Sequence, residues 1–571
     1  MKRIKASFFI AFLGIFIWGC KSSKIAVTAP NFDEIITTPA KKDFLSEEEL
    51  KVWHHLDIQK DSIAGISLEK AYKFLKGKKA RPVVVAIADS GVDINHEDLK
   101  DVLWVNKDEI KGNNKDDDNN GYIDDVFGWN FLGNSKGDIV TTDQLEITRI
   151  VKRGREKFGD KDLSEIAEKE KKAYEEYLKL NKEFEATLIE KKGEIYQMDD
   201  YLKNLDMVQE NFDIVKKLAK TDSLTLTIVD KVEAPNLQTL MRVKNVANIL
   251  KQGMSESTLK EEKEKVKEYV AELKKAMEGY NLDMNYRQSL GDDLYDITDK
   301  FYGNNNMLGT ADAGKHGTHV AGIVAANRTN KIGAVGVADN VKIMTVRIVP
   351  EADEHDKDVA LGIRYAVDNG AKIINTSFGK RFSPNKNWVY DALKYAAEKD
   401  VLIVNAAGND GKDLDVNETY PTDSKDMLTE FTDNVITIGA NSLHYDKNLP
   451  ANFSNYGKVN VDIFAPGVSI YAPIPEDKYE ALSGTSMAAP TTAGVAALVR
   501  SYYPNLSAKE VKDIIMKSGA KINFDVVKPG SQTEENPNGE MIPFSSLSVT
   551  GRVVNAYNAL QLAEYISNKK Q

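Results

Sequence analysis

The chain has 571 residues, a net charge of −11, 42% hydrophobic residues and a single cysteine. That length accommodates more than one domain and a large core. The acidic balance argues against nucleic acid as a partner, and a lone cysteine excludes an internal disulfide framework.

The first predicted element is a signal peptide over 1–19. Met1-Lys2-Arg3-Ile4-Lys5 is basic, the run from Phe8 to Trp18 is apolar but short for a bilayer span, and Gly19-Cys20 follows. Ile17-Trp18-Gly19-Cys20 resembles the lipobox at which bacterial lipoprotein signals are cut, although Trp18 is bulkier than usual. Lipidation gives Cys20 a purpose as an unpaired thiol in an exported protein; plain signal cleavage with an incidental cysteine is the alternative. The expectation is an exported protein anchored to the bacterial cell-envelope membrane through Cys20, with 20–64 as a polar, irregular tether.

Val83-Val84-Val85-Ala86-Ile87-Ala88 is an unbroken apolar run of the kind that fills a strand buried on both faces. It delivers Asp89-Ser90-Gly91 to the carboxyl edge of a sheet, where open α/β folds carry their sites. Taken alone, Asp89 also reads as a turn residue or helix cap. Lys115 to Asp125 then places carboxylate or amide oxygens at alternate positions ahead of Gly121. This matches the front of a calcium loop, with Asp116, Asp118 and Asn120 as side-chain ligands and Tyr122 offering its carbonyl. The usual closing glutamate is missing, because Phe127 stands twelfth from Asp116. Asp124 or Asp125 is left to close the site, and an acidic surface turn is the alternative.

From 142 to 291 Lys and Glu abound, Gly and Pro are scarce, and apolar residues recur every three or four positions, as in Ile166, Tyr174, Leu178, Phe184 and Leu188. That period predicts an all-α insertion, several amphipathic helices folded as a hairpin or small bundle, with starts near Ser164 and Ser257. Such an excursion leaves and re-enters one surface. A lid or exosite, a docking arm for a partner protein and an inert spacer are the uses it allows. Its mixed charge argues against nucleic acid and against membrane insertion.

His316-Gly317-Thr318-His319 opens a helix of small apolar residues running to Ala326. A neutral His316 there takes a proton from a serine, provided a carboxylate fixes its other nitrogen. His316 and His319 also lie three apart, as metal ligands on one helix face do, although no acidic third ligand follows at a fitting spacing. Two more predicted strands end in Ser377-Phe378-Gly379 and Ala406-Ala407-Gly408-Asn409. The exposed backbone of the first suits an extended peptide. Asn409 offers an amide to a developing oxyanion, or is an asparagine tolerated in a left-handed turn. In Gly484-Thr485-Ser486-Met487-Ala488-Ala489-Pro490 a serine sits between small residues where a loop becomes a helix. Its hydroxyl is uncrowded and faces the helix's positive end, as a nucleophile requires.

Asp89-Ser90-Gly91, His316 to Gly322, Asn409 and Gly484 to Pro490 resemble, in kind and in order, the subtilisin-like serine peptidases. The resemblance implies an α/β, three-layer fold with a mostly parallel central sheet, divided here into 65–141 and 292–571 around the helical insertion. It implies Ser486 as nucleophile, His316 as general base and then acid, Asp89 as the residue orienting His316, and Asn409 as oxyanion donor. Ser377, Phe378, Gly379, Ala406, Ala407 and Gly408 become the walls and edges that hold substrate extended. The implied reaction is hydrolysis of internal peptide bonds of proteins through an acyl-enzyme, with structural Ca2+. Asp98 corresponds to a calcium-ligand position of many relatives. Most of the family separates the aspartate from the histidine by a few tens of residues; here they stand 227 positions apart. A non-catalytic cell-envelope binding or adhesion lipoprotein on the same scaffold is the rival reading, against which stand all four residues of the constellation.

Overall fold

The computed structural model describes residues 29–34 and 45–570, so the signal peptide and Cys20 lie outside the described residues. The body of the sheet is parallel. It consists of β1 (Val83–Asp89), β2 (Gly128–Asn130), β3 (Val341–Arg347), β4 (Ile373–Thr376), β5 (Leu402–Ala406), β6 (Val435–Asn441) and β7 (Ile463–Pro466). Their order is β2-β3-β1-β4-β5-β6-β7, and the short strands Arg552–Val553 and Ala520–Lys521 extend the β7 edge, the last of them antiparallel. Val83 stands opposite Val341 and Val85 opposite Ile373, so β1 lies between β3 and β4. The chain adds strands first on one side of β1 and then on the other. Asp89 therefore ends at the reversal point where α/β sheets open a crevice.

Alternating side chains sort the strands into two cores. Val85 and Ile87 pack under the helices Lys315–Ala325 and Thr485–Tyr502, whereas Ala86 and Ala88 face Asp356–Asp368 and Lys386–Glu398. The expected three-layer α/β architecture is thus present. The part of the expected tether over 45–64 is not irregular. Trp53, Ile58 and Ala64 are buried, and Trp53 Nε1 donates to Val468 O at 3.1 Å. A few isolated anchors among polar residues make no period, so composition alone reads this lead-in as linker.

The excursion between Asp89 and His316 is helical. A root helix, Glu146–Phe158, precedes a 49-residue helix, Lys171–Ala219, and Leu237–Lys251 and Glu256–Ala276 return along it. At 1.5 Å per residue the long helix spans roughly 73 Å. Its near part packs on the root helix through Val151, Leu180 and Phe184, and its far part on the returning helices through Leu205, Phe212 and Val246. Leu178 of the expected apolar stripe faces solvent, because the buried line passes through Tyr177 and Leu180. Ser255, rather than Ser257, caps the last helix, and Ser164 falls in the short 3-10 turn Leu163–Glu165. No helix among the described residues is long and apolar enough to cross a membrane.

Candidate active site

Asp89 is buried at the end of β1, and His316 opens its helix directly above it. His316 Nδ1 lies 2.7 Å from Asp89 Oδ1, which also accepts the Ser90 N–H at 2.7 Å. Gly317 permits this approach, since a Cβ there would stand 2.2 Å from Gly91 O. Burial pushes the imidazole down, but the Asp89 charge and hydrogen bond outweigh it, with Glu351 adding, and His316 titrates above its ordinary value. Nε2 is the nitrogen left to exchange a proton. His319 takes no part. It is buried, its Nε2 lies 3.1 Å from Glu480 O, and burial pushes it down to about 3. His316 and His319 join no cluster of three or more metal-ligating side chains among the described residues.

Ser486 is the second residue of the helix Thr485–Tyr502, so its N–H lacks an intrahelical acceptor. Pro490, one turn on, lacks the N–H that would normally bond Ser486 O. Ser377 takes that role: its Oγ donates to Ser486 O at 2.9 Å, while Ser486 Oγ donates to Ser377 O at 3.1 Å. This exchange pins the serine to the end of β4. Ser486 Oγ is thus bonded to Ser377 O, and no hydrogen bond joins it to His316 among the described residues.

Asn409 Oδ1 accepts from Thr485 N and Oγ1 at 2.9 and 3.0 Å, leaving Nδ2 without an acceptor among the described residues. A Cβ on Gly484 would stand 3.4 Å from Asn409 Nδ2 and 3.6 Å from Ser486 N. Glycine keeps open a space bordered by two free donors, which is what a developing oxyanion needs.

The two expected walls differ. No described residue hydrogen-bonds the backbone of Gly379, so the edge along Phe378 and Gly379 is open, with Phe378 buried beside it. Ala406 is the last residue of β5, and the two residues beyond it are closed off. Ala407 N donates to Ile438 O, Gly408 N donates to Thr485 Oγ1, and Asn455 donates to both of their carbonyls. The 406–408 segment is therefore a fixed wall rather than an edge, and the distant Asn455 that closes it carried no local signal.

The excursion returns to this site at two places that the sequence did not reveal. Lys275, at the end of the last returning helix, donates to Glu351 Oε1 at 3.1 Å and to Asp312 Oδ2 at 2.8 Å, on the rim beside His316. At the root, Arg149 Nη2 and Lys380 Nζ both donate to Glu146 Oε2, at 2.6 and 3.0 Å. Arg149 also donates to the carbonyls of Asp353 and Glu354. Lys380 directly follows Gly379, so the root helix is bonded to the end of the open edge.

Near the β2 side, Glu109, Asp118 and Asp125 gather carboxylate oxygens within 4.8 Å of one another. Asp118 and Asp125 were expected there; Asp116 is not part of the cluster. Its oxygens accept the N–H groups of Asn120 and Gly121 at 3.0 and 2.8 Å, the work of a turn residue. Asn120 Nδ2 bridges Asp118 and Asp125, and the Tyr122 ring packs against Trp129. Glu109 precedes the loop pattern, which is why spacing missed it. Burial pushes Asp125 up to about 6 despite hydrogen bonds from Tyr365, Asn106 and Asn120. An all-oxygen, strongly acidic donor set of this kind fits a hard cation such as Ca2+. Asp98 differs: Asn330 Nδ2 and Ala334 N satisfy its buried carboxylate, and it joins no acidic cluster among the described residues.

The family model described as the subtilase family matches residues 80–541. This chain is a subtilase. Over 248 residues it is 36% identical to the cell wall-associated protease of Bacillus subtilis (strain 168), covering 43% of this chain and 26% of that protein. It is 38% identical over 230 residues to the thermophilic serine proteinase of Bacillus sp. (strain AK1), covering 40% and 51%. It is 37% identical over 217 residues to subtilisin DY of Bacillus licheniformis, covering 37% and 72%. The chain thus spans between about a quarter and a half of the first two relatives. In this subtilase the helical excursion reaches the rim beside His316.

Proposed function

We propose that this subtilase is a serine endopeptidase hydrolysing internal peptide bonds of proteins through an acyl-enzyme. The observation that supports the reading is that the Asp89–His316 pair and Ser486, bonded to Ser377, stand at the carboxyl ends of the neighbouring strands β1 and β4. His316 Nε2 takes the proton of Ser486 Oγ as that oxygen attacks the substrate carbonyl. Asp89 holds the tautomer and stabilises the imidazolium, and Asn409 Nδ2 with Ser486 N–H receives the oxyanion. His316 then protonates the leaving amine, and water repeats the sequence to free the acid. The first step needs neutral His316. Its raised pKa places the rise of activity above pH 6.5, the ordinary histidine value.

Glu109, Asp118 and Asp125 are the residues that would hold a structural Ca2+, whose charge offsets three clustered carboxylates. Attachment to the membrane through Cys20 belongs to the same reading, as does export to the cell envelope. Labelling by a fluorophosphonate probe, compared between wild type and Ser486→Ala, tests the assignment. Labelling in wild type alone is expected; a folded wild type that neither labels nor cleaves protein favours the non-catalytic binding scaffold.

A further inference from the structure

Both ends of the excursion meet at Glu351. Where it departs, Glu351 N donates to Thr141 O at 2.8 Å, and Asp143 N donates to Glu351 O at 2.9 Å. Where it returns, Lys275 stands in the last turn of the helix Glu256–Ala276 and donates to the Glu351 carboxylate at 3.1 Å. The next residue, Ala352, has φ +90°, which a residue bearing a Cβ rarely adopts. Gly279, just past Lys275, packs against it: a Cβ there would stand 3.3 Å from the Ala352 Cβ. Backbone in so sparse a region costs free energy and persists only where its surroundings fix it. The placing of Glu351 is therefore imposed by the excursion rather than by the local sequence.

Lys275 also joins the two segments that carry the acid–base pair. Asp312, its second partner at 2.8 Å, lies four residues before His316. The turn there, in which Gly314 N donates to Thr310 O and Lys315 N to Asp312 O, runs directly into the His316 helix. Glu351 lies two residues beyond Val349, whose N–H donates to Asp89 O at 3.2 Å, next to that of Ile348 at 2.9 Å. One ammonium thus ties the approach to His316 to the strand end bonded to Asp89.

The charges around His316 give this clasp a second effect. Asp89 lies beneath the imidazole, Glu351 acts on it from the loop after β3, and Lys315 and His319 flank it on its own helix. Lys315 is paired with Glu480 at 2.7 Å, and burial keeps His319 neutral. Glu351 favours the protonated imidazole, and Lys275 offsets that charge while sharing itself with Asp312.

We propose that Lys275 is a positioning residue of this active site: the returning helix clasps the His316 turn to the Asp89 strand end and offsets the charge of Glu351. The helical excursion thereby takes part in setting the base. The inference rests on the peptidase reading, and the test separates the two.

The full chain is followed by its rate of labelling with a small fluorophosphonate across a pH series. That probe reports how readily His316 activates Ser486 and needs no choice of peptide. Lys275→Ala uncovers Glu351, so His316 keeps its proton to higher pH. The midpoint of the rise is expected to move up by about 0.3 pH unit at low salt, the scale of one exposed charge, and the shift to shrink in about 1 M salt. On the plateau the rate is expected to fall about threefold, which is what an exposed ion pair is worth. Glu351→Gln moves the midpoint down, and Lys275→Arg keeps both readouts near wild type. Lys275→Glu is the second variant and should about double the upward shift; a merely loosened fold lowers the rate at every pH without moving the midpoint. Lys274→Ala, which breaks the neighbouring pair with Asp199 inside the excursion, changes neither readout. An unchanged midpoint and plateau in Lys275→Ala overturn the proposal, and so does an equal change in Lys274→Ala; labelling of wild type then leaves the peptidase reading standing. A folded wild type that does not label refutes the peptidase reading and this role of Lys275 with it.

Discussion

The helical excursion is fastened differently at its two ends. At the root, buried charges meet in fixed directions: Glu146 and Arg149 with Lys380, and Arg287 bidentate with Asp358 at 2.6 and 2.8 Å. At the far end the helices close on one another through Phe212, Val215, Val246 and Leu259, with Leu237 and Met241 left in solvent. Apolar attraction is non-directional, whereas a buried, hydrogen-bonded ion pair gains little net stability yet is satisfied only within a narrow geometry. The root is built for orientation and the far end for cohesion. That division is what a segment needs if its near part shapes a cleft.

Substitutions ranked by their effect on hydrolysis of a short peptide sharpen this contrast. Ser486→Ala should lower turnover by about 10⁶, the scale known for the nucleophile in this family, with the melting temperature unchanged. Asn409→Ala should cost about 10² to 10³ in kcat, the range known for this donor in subtilisin, with KM nearly constant. Arg149→Ala leaves Glu146 paired with Lys380 alone and the Asp353 carbonyl without its donor, and should destabilise the protein by about 1–3 kcal/mol in urea unfolding, with a smaller loss of turnover at 25 °C. Phe212→Ala should leave turnover within about twofold of wild type while hydrogen exchange rises in the far helices. A loss of turnover like that of Asn409→Ala would break the division between root and far end.

A pH series examines the root directly. Burial pushes Glu354 above the ordinary carboxylate range, more than Lys380 pulls it back. The unfolded chain then loses this proton first as pH rises. Stability contributed by Glu354 is present at low pH and is lost as pH climbs through the folded-state value. Glu354→Gln should flatten that decline in a set of urea titrations.

The core was legible because its chemistry sits in contiguous strings. An apolar run ending in Asp89, and a glycine-flanked Ser486 before a small-residue helix, each specify a strand or helix end and the group it carries. The excursion was legible only as a period, which gives helices but no partners. Lys275 reaching Glu351, Arg149 reaching Glu354 and Asn455 closing Ala407 are all contacts between distant segments that leave no local pattern. The acidic loop is of the same kind: alternate acidic residues also serve turns, as Asp116 does for Asn120 and Gly121, and only the folded loop brings Glu109 beside Asp118 and Asp125.

The pairing of β1 with β3 has a kinetic side. Val83 must find Val341 with the whole excursion between them, and contacts so distant in sequence raise contact order and slow folding. Helices form from local contacts on far shorter times. Once the hairpin has formed, its ends are already close: Leu145 N donates to Gly279 O at 2.9 Å. The excursion thus acts as a splint that shortens the loop the sheet has to close. A cut in the far hairpin made after folding leaves β1 paired with β3, whereas the same cut in the unfolded chain turns that closure into an encounter between two molecules.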